Sequence, residues 1–491
     1  MLSSIITKFK NIPNPIMVSL GYIITKFFRQ GLGIISMPIF TRILSKEDFG
    51  TVSIYFSWAS IAITLITLNI HAGFYKNAIV DFGKKSKKLD EITSSMLTLC
   101  SIIAVFFFVF SLIFRQQITN ITNLPFRLIA FMYLCAITAL PYKLWVVRQR
   151  FLYRYKLATV LSLTIALSSV TAGLIGVLNA PADSVIFARI FFSEAPLIIL
   201  GLIFFVILIV KGKTLVNISH WKHALCFSLP LVPQAISVIV LAQSDKIMIV
   251  NLLENGSESV ALYSVAYNIA LGVQVLFLAI NTSWIPFTYK NLKAEKYPRI
   301  EKYTTLLVAA VLALFLIVVC FAPEILAILA APIYQEAVWV IPPVILSVFF
   351  MFVYSLFVNV QLYHKKTVPI MFASIAAAIL NIILNLIFIP IFGYIAAAYT
   401  TLLGYATLCV AYYILMRRAN SNRIYNIKAL LALTSIAVVG SFLIMLTYQT
   451  TILRYLIALA IVAMCFAFRK KIISAFAEIK RKKNPSERTD A

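Results

Sequence analysis

The sequence has 491 residues, 62% of them hydrophobic, with a mean hydropathy of +0.95. Soluble domains are about 45–50% apolar, so these values exclude an ordinary soluble enzyme and require an integral membrane protein. The net charge of +26 admits a nucleic-acid partner in principle, but its distribution along the chain gives it a different cause.

The first long apolar stretch, Ile16–Gly50, reads IMVSLGYIITKFFRQGLGIISMPIFTRILSKEDFG. A bilayer crossing takes about 20 residues, so this stretch is long enough to span. Lys26 and Arg29 lie near its middle, where a charge costs about 2.5–3.5 kcal/mol unless it faces water or a partner. Ser19, Tyr22, Lys26, Arg29, Gly33 and Ser36 recur at helical spacing and form one polar, basic stripe. No short apolar core followed by a small-residue cleavage site precedes it, so no cleavable signal is expected.

Hydropathy predicts fourteen spans, near 16–41, 51–74, 92–114, 125–143, 157–178, 184–210, 223–252, 259–286, 303–322, 339–363, 368–389, 393–416, 427–447 and 452–470. With the N-terminus placed inside, the inner loops and tails hold 34 of the 43 basic residues. The outer loops hold Arg42, Lys46, Arg115, Arg127 and Arg454. The alternation is unbroken, so both termini are expected to be cytoplasmic, and the charge is explained without nucleic acid. Six cysteines fall in apolar runs without CxxC or metal spacing, so they read as small core residues and no metal site is expected.

A repeat relates Leu44–Tyr55 (LSKEDFGTVSIY) to Leu252–Tyr263 (LLENGSESVALY), an offset of 208 residues. Each copy is a polar turn leading into a helix. Six crossings separate them, so two parallel six-helix lobes are expected, with a site between them. The division is 1–215 (spans one to six), 216–420 (seven to twelve), 421–470 (thirteen and fourteen) and a basic tail, 471–491. Pro230 and Pro233 should interrupt span seven, and Pro38 is a similar candidate in span one.

Lys26 and Arg29, with Tyr22 on the same face, suit an anion clamp: arginine grips phosphate with a fork, and lysine adds a point charge. The alternative is a structural ion pair. Glu194, at similar depth in span six, is the candidate partner or a protonatable coupling group. Arg189 either joins it or snorkels to the outer edge. Asp245 and Lys246 lie toward the outer end of span seven. Asp245 shares a face with Gln234 and Ser237, and either binds a cation or forms a local pair. Tyr267, Gln274 and Asn281 form a seven-residue polar ladder in span eight that would suit sugar hydroxyls or simple interhelical bonds. Tyr55, Trp58 and Asn69 fall on broadly one side of span two, and His71 at its inner end. No catalytic constellation is present. Lys213 and Thr214 follow Gly212, but Ile207 replaces the first glycine of a phosphate loop. A transporter is expected, not an enzyme.

Several segments resemble one family. They are Pro38–Gly50 (PIFTRILSKEDFG), Phe227–Pro233 (FSLPLVP), Ser244-Asp-Lys246, Ala261–Tyr267 (ALYSVAY), Trp284-Ile-Pro286, Asn381–Asn385 (NIILN), Ile389-Pro390 and Gly393. In this order, over nearly the whole chain, they resemble the polysaccharide transporters of the multidrug/oligosaccharidyl-lipid/polysaccharide (MOP) exporter superfamily, and within it the Wzx-type O-antigen and capsule flippases. Ala396 departs from the glycine expected there. The resemblance implies an all-α membrane fold of about fourteen helices. Two lobes form a V like that of multidrug and toxin extrusion (MATE) transporters, and two C-terminal helices are added. It implies alternating access and a cargo of undecaprenyl-diphosphate-linked oligosaccharide in the bacterial cytoplasmic membrane. Glycan polymerase and chain-length machinery are the implied partners. No cofactor is expected; a protonatable Glu194 would allow coupling to a proton gradient, and a sodium gradient is the other candidate. Fourteen spans also suit the lipid II flippase branch, and a cation or drug antiporter is the other alternative.

Overall fold

The computed structural model describes residues 28, 31–83, 87–152, 154–420 and 422–467. These residues form helices and no strand. Before the first proline-broken region lie α1 (Gly31–Ile43), α2 (Lys46–Thr67), α3 (Phe74–Phe82), α4 (Lys87–Ile113), α5 (Arg115–Thr122), α6 (Phe126–Phe151), α7 (Tyr155–Asn179), α8 (Val185–Gly212) and α9 (Ile218–Ser228). Next come α10 (Val232–Leu252), α11 (Gly256–Lys293), α12 (Tyr297–Cys320), α13 (Ala322–Leu329), α14 (Ile341–Tyr363), α15 (Thr367–Phe392), α16 (Tyr394–Ala419), α17 (Ile427–Leu446) and α18 (Thr451–Ala467).

Twelve of these helices are long and apolar enough to cross a membrane: α2, α4, α6–α8, α10–α12 and α14–α17. They match predicted spans two to thirteen. The shorter α1 and α18 overlap spans one and fourteen, most of whose remaining residues lie outside the described ones. Large apolar side chains face outward along the bundle, such as Phe106 at 64% exposure and Ile113 at 71%. In water such a surface would aggregate; in a bilayer, lipid covers it. The chain is a multi-pass membrane protein.

Local signals explain where the helices begin and break. Ser45 caps α2 by accepting from the Asp48 N–H, and Glu47 and Asp48 complement the positive end of the helix. Asn217 and Asn426 cap α9 and α17 in the same way. Span seven is interrupted as the prolines require: α9 stops at Ser228 and α10 starts at Val232, with Pro233 in its first turn. Pro38 does not interrupt α1, which stays helical through it. A break between α2 and α3 was not expected. Leu68 and Asn69 both adopt left-handed conformations, φ 47° and 50°, which asparagine tolerates and which costs about 1–3 kcal/mol for a leucine.

The helices gather into two compact units. The first takes the chain up to Asn268, with Leu329–Ala331 and Ser374–Thr400. Its inner core joins Ile70 and Tyr75 to Leu89, Met96, Leu144 and Leu208, all buried. At the start of α11 the backbone of Ser257 lies against Gly50 of α2, so close that a Cβ on Gly50 would stand 1.8 Å from the Ser257 carbonyl oxygen. The contact joins nearly equivalent points of the repeat, since 50 plus the offset of 208 is 258. Ser57 of α2 also donates to Gln243 of α10 at 2.9 Å.

The second unit takes Ile269–Ile328, Pro332–Ala373 and the chain from Thr401 onward. Phe315 of α12 packs on Phe349 of α14, ring centroids 5.4 Å apart, and α17 and α18 lie against α12. Arg454 of α18, 2% exposed, is paired with Glu324 of α13, which also accepts from Tyr455 at 3.0 Å. This ion pair, buried on the arginine side, fastens the last described helix to its unit.

Candidate functional site

Lys26, Arg29 and Tyr22, the expected anion clamp, lie outside the described residues. The described part of the site is organised around Asp245 in α10, within the first unit.

Asp245 is 1% exposed. Its carboxylate accepts from the Tyr263 hydroxyl of α11 and, at 2.7 Å, from the Asn385 amide of α15. Asn385 in turn accepts from Thr400 of α16. Ser244 donates to Asn381 at 2.9 Å, and Asn381 also accepts from Asn385 at 3.4 Å. Lys246, 8% exposed, places its Nζ 5.1 Å from the centre of the Tyr267 ring, which stacks on Tyr263. Four helices thus contribute polar groups to one cluster in apolar surroundings. A carboxylate there stays ionised only while donors surround it.

The sequence puts Asp245 on one face with Gln234 and Ser237, as a cation site or a member of a local pair. In the structure it is buried against Asn385 and close to Asn381, which lie 140 and 136 residues further along the chain. Those two were read only as family markers. The available signal was two amides four residues apart in an otherwise apolar helix, where polar groups need partners.

The ladder on α11 meets different neighbours along its length. Tyr267 belongs to the Asp245 cluster. In the second unit, the Gln274 amide lies 3.3 Å from the Met351 sulfur, and Asn281 accepts from Asn359 of α14 at 2.8 Å. Tyr354 of α14 stacks flat on Tyr405 of α16, at 6.2 Å and 10° between planes. Met351, Asn359, Tyr354 and Tyr405 were absent from the sequence reading. A lone aromatic or amide in a long apolar helix gives no hint of the helix it meets.

Glu194 of α8 interacts electrostatically with Arg189, Tyr55 and Cys135. Tyr55 is fully buried, with its hydroxyl 3.6 Å from the Cys135 sulfur, so it faces the interior of the first unit. The Arg189 guanidinium stacks on Phe40 of α1, 3.7 Å from the ring centre. Trp58 lies in α2, but Asn69 falls in the turn beyond that helix and so leaves the face predicted for it.

His71 sits in the same turn. Burial, and then the charges of Lys143, Lys76 and Arg150, push its pKa down to about 3. Its Nδ1 is sealed without a hydrogen-bond partner. The unfolded chain takes up the proton near pH 6.5, well before the folded chain does. Stability from the neutral ring is therefore complete above about pH 6.5 and lost as pH falls toward 3. Between pH 7 and 5 the native protein should lose about 2 kcal/mol more than His71→Gln does. Denaturant unfolding at the two pH values checks this; equal losses would contradict it.

By sequence, no curated protein matches the chain. The family model described as "Polysaccharide biosynthesis protein" matches residues 18–292, more than half of the chain. The protein belongs to that family. A second model, MatE, matches residues 230–387, which include the Asp245, Asn381 and Asn385 positions. Among solved structures, the lipid II flippase MurJ in an inward closed conformation aligns with a TM-score of 0.65. The identity is 18%, over 93% of this chain and all of that one. An inward-facing multidrug resistance MATE transporter of the MOP superfamily aligns at 0.55, with 12% identity, over 81% of this chain and 95% of that one. The protein is thus a polysaccharide biosynthesis family member of the MOP exporter superfamily, all-helical, with the MurJ/MATE fold.

Proposed function

We propose that this family member is a flippase. It moves a glycan linked to undecaprenyl diphosphate from the inner to the outer leaflet of a bacterial cytoplasmic membrane by alternating access. The reading is supported above all by the polysaccharide biosynthesis match over residues 18–292. The MurJ-like fold over 93% of the chain agrees with it. Sugars and diphosphate are too strongly hydrated to cross hydrocarbon unaided. Lys26 and Arg29 replace that hydration, while the polyprenyl tail stays in lipid. In this scheme residues 1–215 and 216–420 are the moving lobes, 421–470 supply two further helices, and both termini are cytoplasmic. The Asp245 carboxylate exchanges a proton or sodium ion and so couples the cycle to a gradient. Glycan polymerase and chain-length machinery act on the product.

The double substitution Lys26→Ala/Arg29→Ala should abolish translocation and leave the amount of protein in the membrane unchanged. Translocation is read as lipid-linked glycan reaching the outer leaflet. Undiminished translocation would reject the clamp. Deletion of the gene should accumulate lipid-linked precursor on the cytoplasmic leaflet. Drug sensitivity with normal surface glycan would instead favour the antiporter reading, which draws on the match of residues 230–387 to the MatE model.

A further inference from the structure

With 11 residues, a length of about 16 Å, α9 is too short to cross a membrane, yet it joins two helices that are long enough. The spanning α8 stops at Gly212, where Lys213 takes a left-handed turn, and the spanning α10 starts at Val232. These two ends bound one non-spanning segment, so they meet the same membrane surface and α9 lies along it.

One face of α9 is docked on the protein. The Trp221 indole N–H donates to the Ser95 carbonyl of α4 at 3.0 Å, Leu225 packs on the inner core, and Ala224 and Ser228 are buried. These four positions share one helical face. Ile218, Lys222 and Cys226, four residues apart, form a separate edge, and all three are exposed. Ile218 is 75% exposed, and Leu215 and Val216 just before it are exposed as well. Water is a poor solvent for this edge, and the acyl chains at a membrane surface are a good one.

Charge sets the segment apart further. From Lys211 to Leu231 it holds Lys211, Lys213 and Lys222, all exposed, and neither aspartate nor glutamate. Glu91 of α4 acts on His220, where Lys88 opposes it. Apolar side chains with lysines among them fit anionic headgroups: the lysine stems stay in the apolar layer and the ammonium groups reach phosphate.

We propose that Lys211–Cys226 is a lipid-recognition surface, which seats on the bilayer and selects anionic phospholipid headgroups through Lys211, Lys213 and Lys222. The proposal follows from the spanning helices on either side and does not rest on the flippase reading.

The test uses the full chain with Cys465→Ser, so that a fluorescent label is directed to the exposed Cys226; Cys100, Cys135, Cys320 and Cys409 are buried. The labelled protein is placed in phosphatidylcholine nanodiscs that carry spin-labelled phosphatidylglycerol or spin-labelled phosphatidylcholine at the same low mole fraction. Both should quench the label. Phosphatidylglycerol should do so with an apparent affinity at least about fivefold higher, the effect of one lysine at an anionic surface. Lys211→Gln/Lys213→Gln/Lys222→Gln should bring the two lipids to equality while the label stays quenched. Salt at about 1 M, which confines charge interactions to about 3 Å, should do the same with all three lysines present. The salt series therefore serves even where the triple variant fails to fold. Three results would overturn the proposal: no quenching by either lipid, equal quenching by both at low salt with the lysines present, or a preference that survives the lysine replacements.

Discussion

Asp245→Ala should destabilise the protein by about 3–5 kcal/mol, the usual consequence of removing one partner from a buried charged cluster. The Tyr263 hydroxyl and the Asn385 amide would both lose their acceptor in a site that is 1% exposed. Lys246 would lose the neighbouring negative charge. Asp245→Asn should cost less, since its amide oxygen still accepts one of the two bonds. Asp245→Asn also removes the charge, so on the flippase reading it should abolish the dependence of transport on an ion gradient. Thermal unfolding in detergent measures the first effect, and transport with the gradient collapsed measures the second. Wild-type stability in Asp245→Ala would show that the cluster does not support the fold.

Gly50→Ala should be nearly as damaging, although it adds one methyl group. The added carbon meets a backbone carbonyl at 1.8 Å, where ordinary contact begins at 3.4 Å. A carbonyl at a helix start cannot swing aside as a side-chain tip can, so α2 and α11 must part by about the 1.6 Å difference. Overpacking of this kind costs about 1–3 kcal/mol. The separation should also weaken the Ser57–Gln243 bond further along α2. Gly31→Ala in α1 is the matched control, because nothing among the described residues lies within 4 Å of its Cβ position. A melting temperature for Gly50→Ala equal to that of the control would sink the prediction.

The crossings were legible in the sequence because apolar length is a local property, and a run of twenty apolar residues means the same wherever it falls. The interruption at Pro230 and Pro233 was legible for the same reason: a ring on the backbone leaves few conformations. The turn at Leu68–Gly73 was hidden. Asn69 tolerates a left-handed conformation, but Leu68 carries no residue-type signal for one. Asp245 was found by its charge in an apolar run, but its partners were not. Helical spacing says which residues share a face and nothing about which helix that face meets. Asn385 lies 140 residues from Asp245, and Asn359 lies 78 from Asn281. The family likeness read from Pro38–Gly50 and Asn381–Asn385 agreed with the family match, since it drew on the order of motifs along the whole chain.

The 38 residues of α11 run without a break, a rod about 57 Å long. Tyr263, which grips Asp245, and Asn281, bonded to Asn359, are eighteen residues apart on that rod, five full turns. Five full turns return the helix to the same bearing, so the two residues lie on one edge of α11. The first copy of the repeat is jointed instead at Leu68–Gly73, where α2 stops after 22 residues.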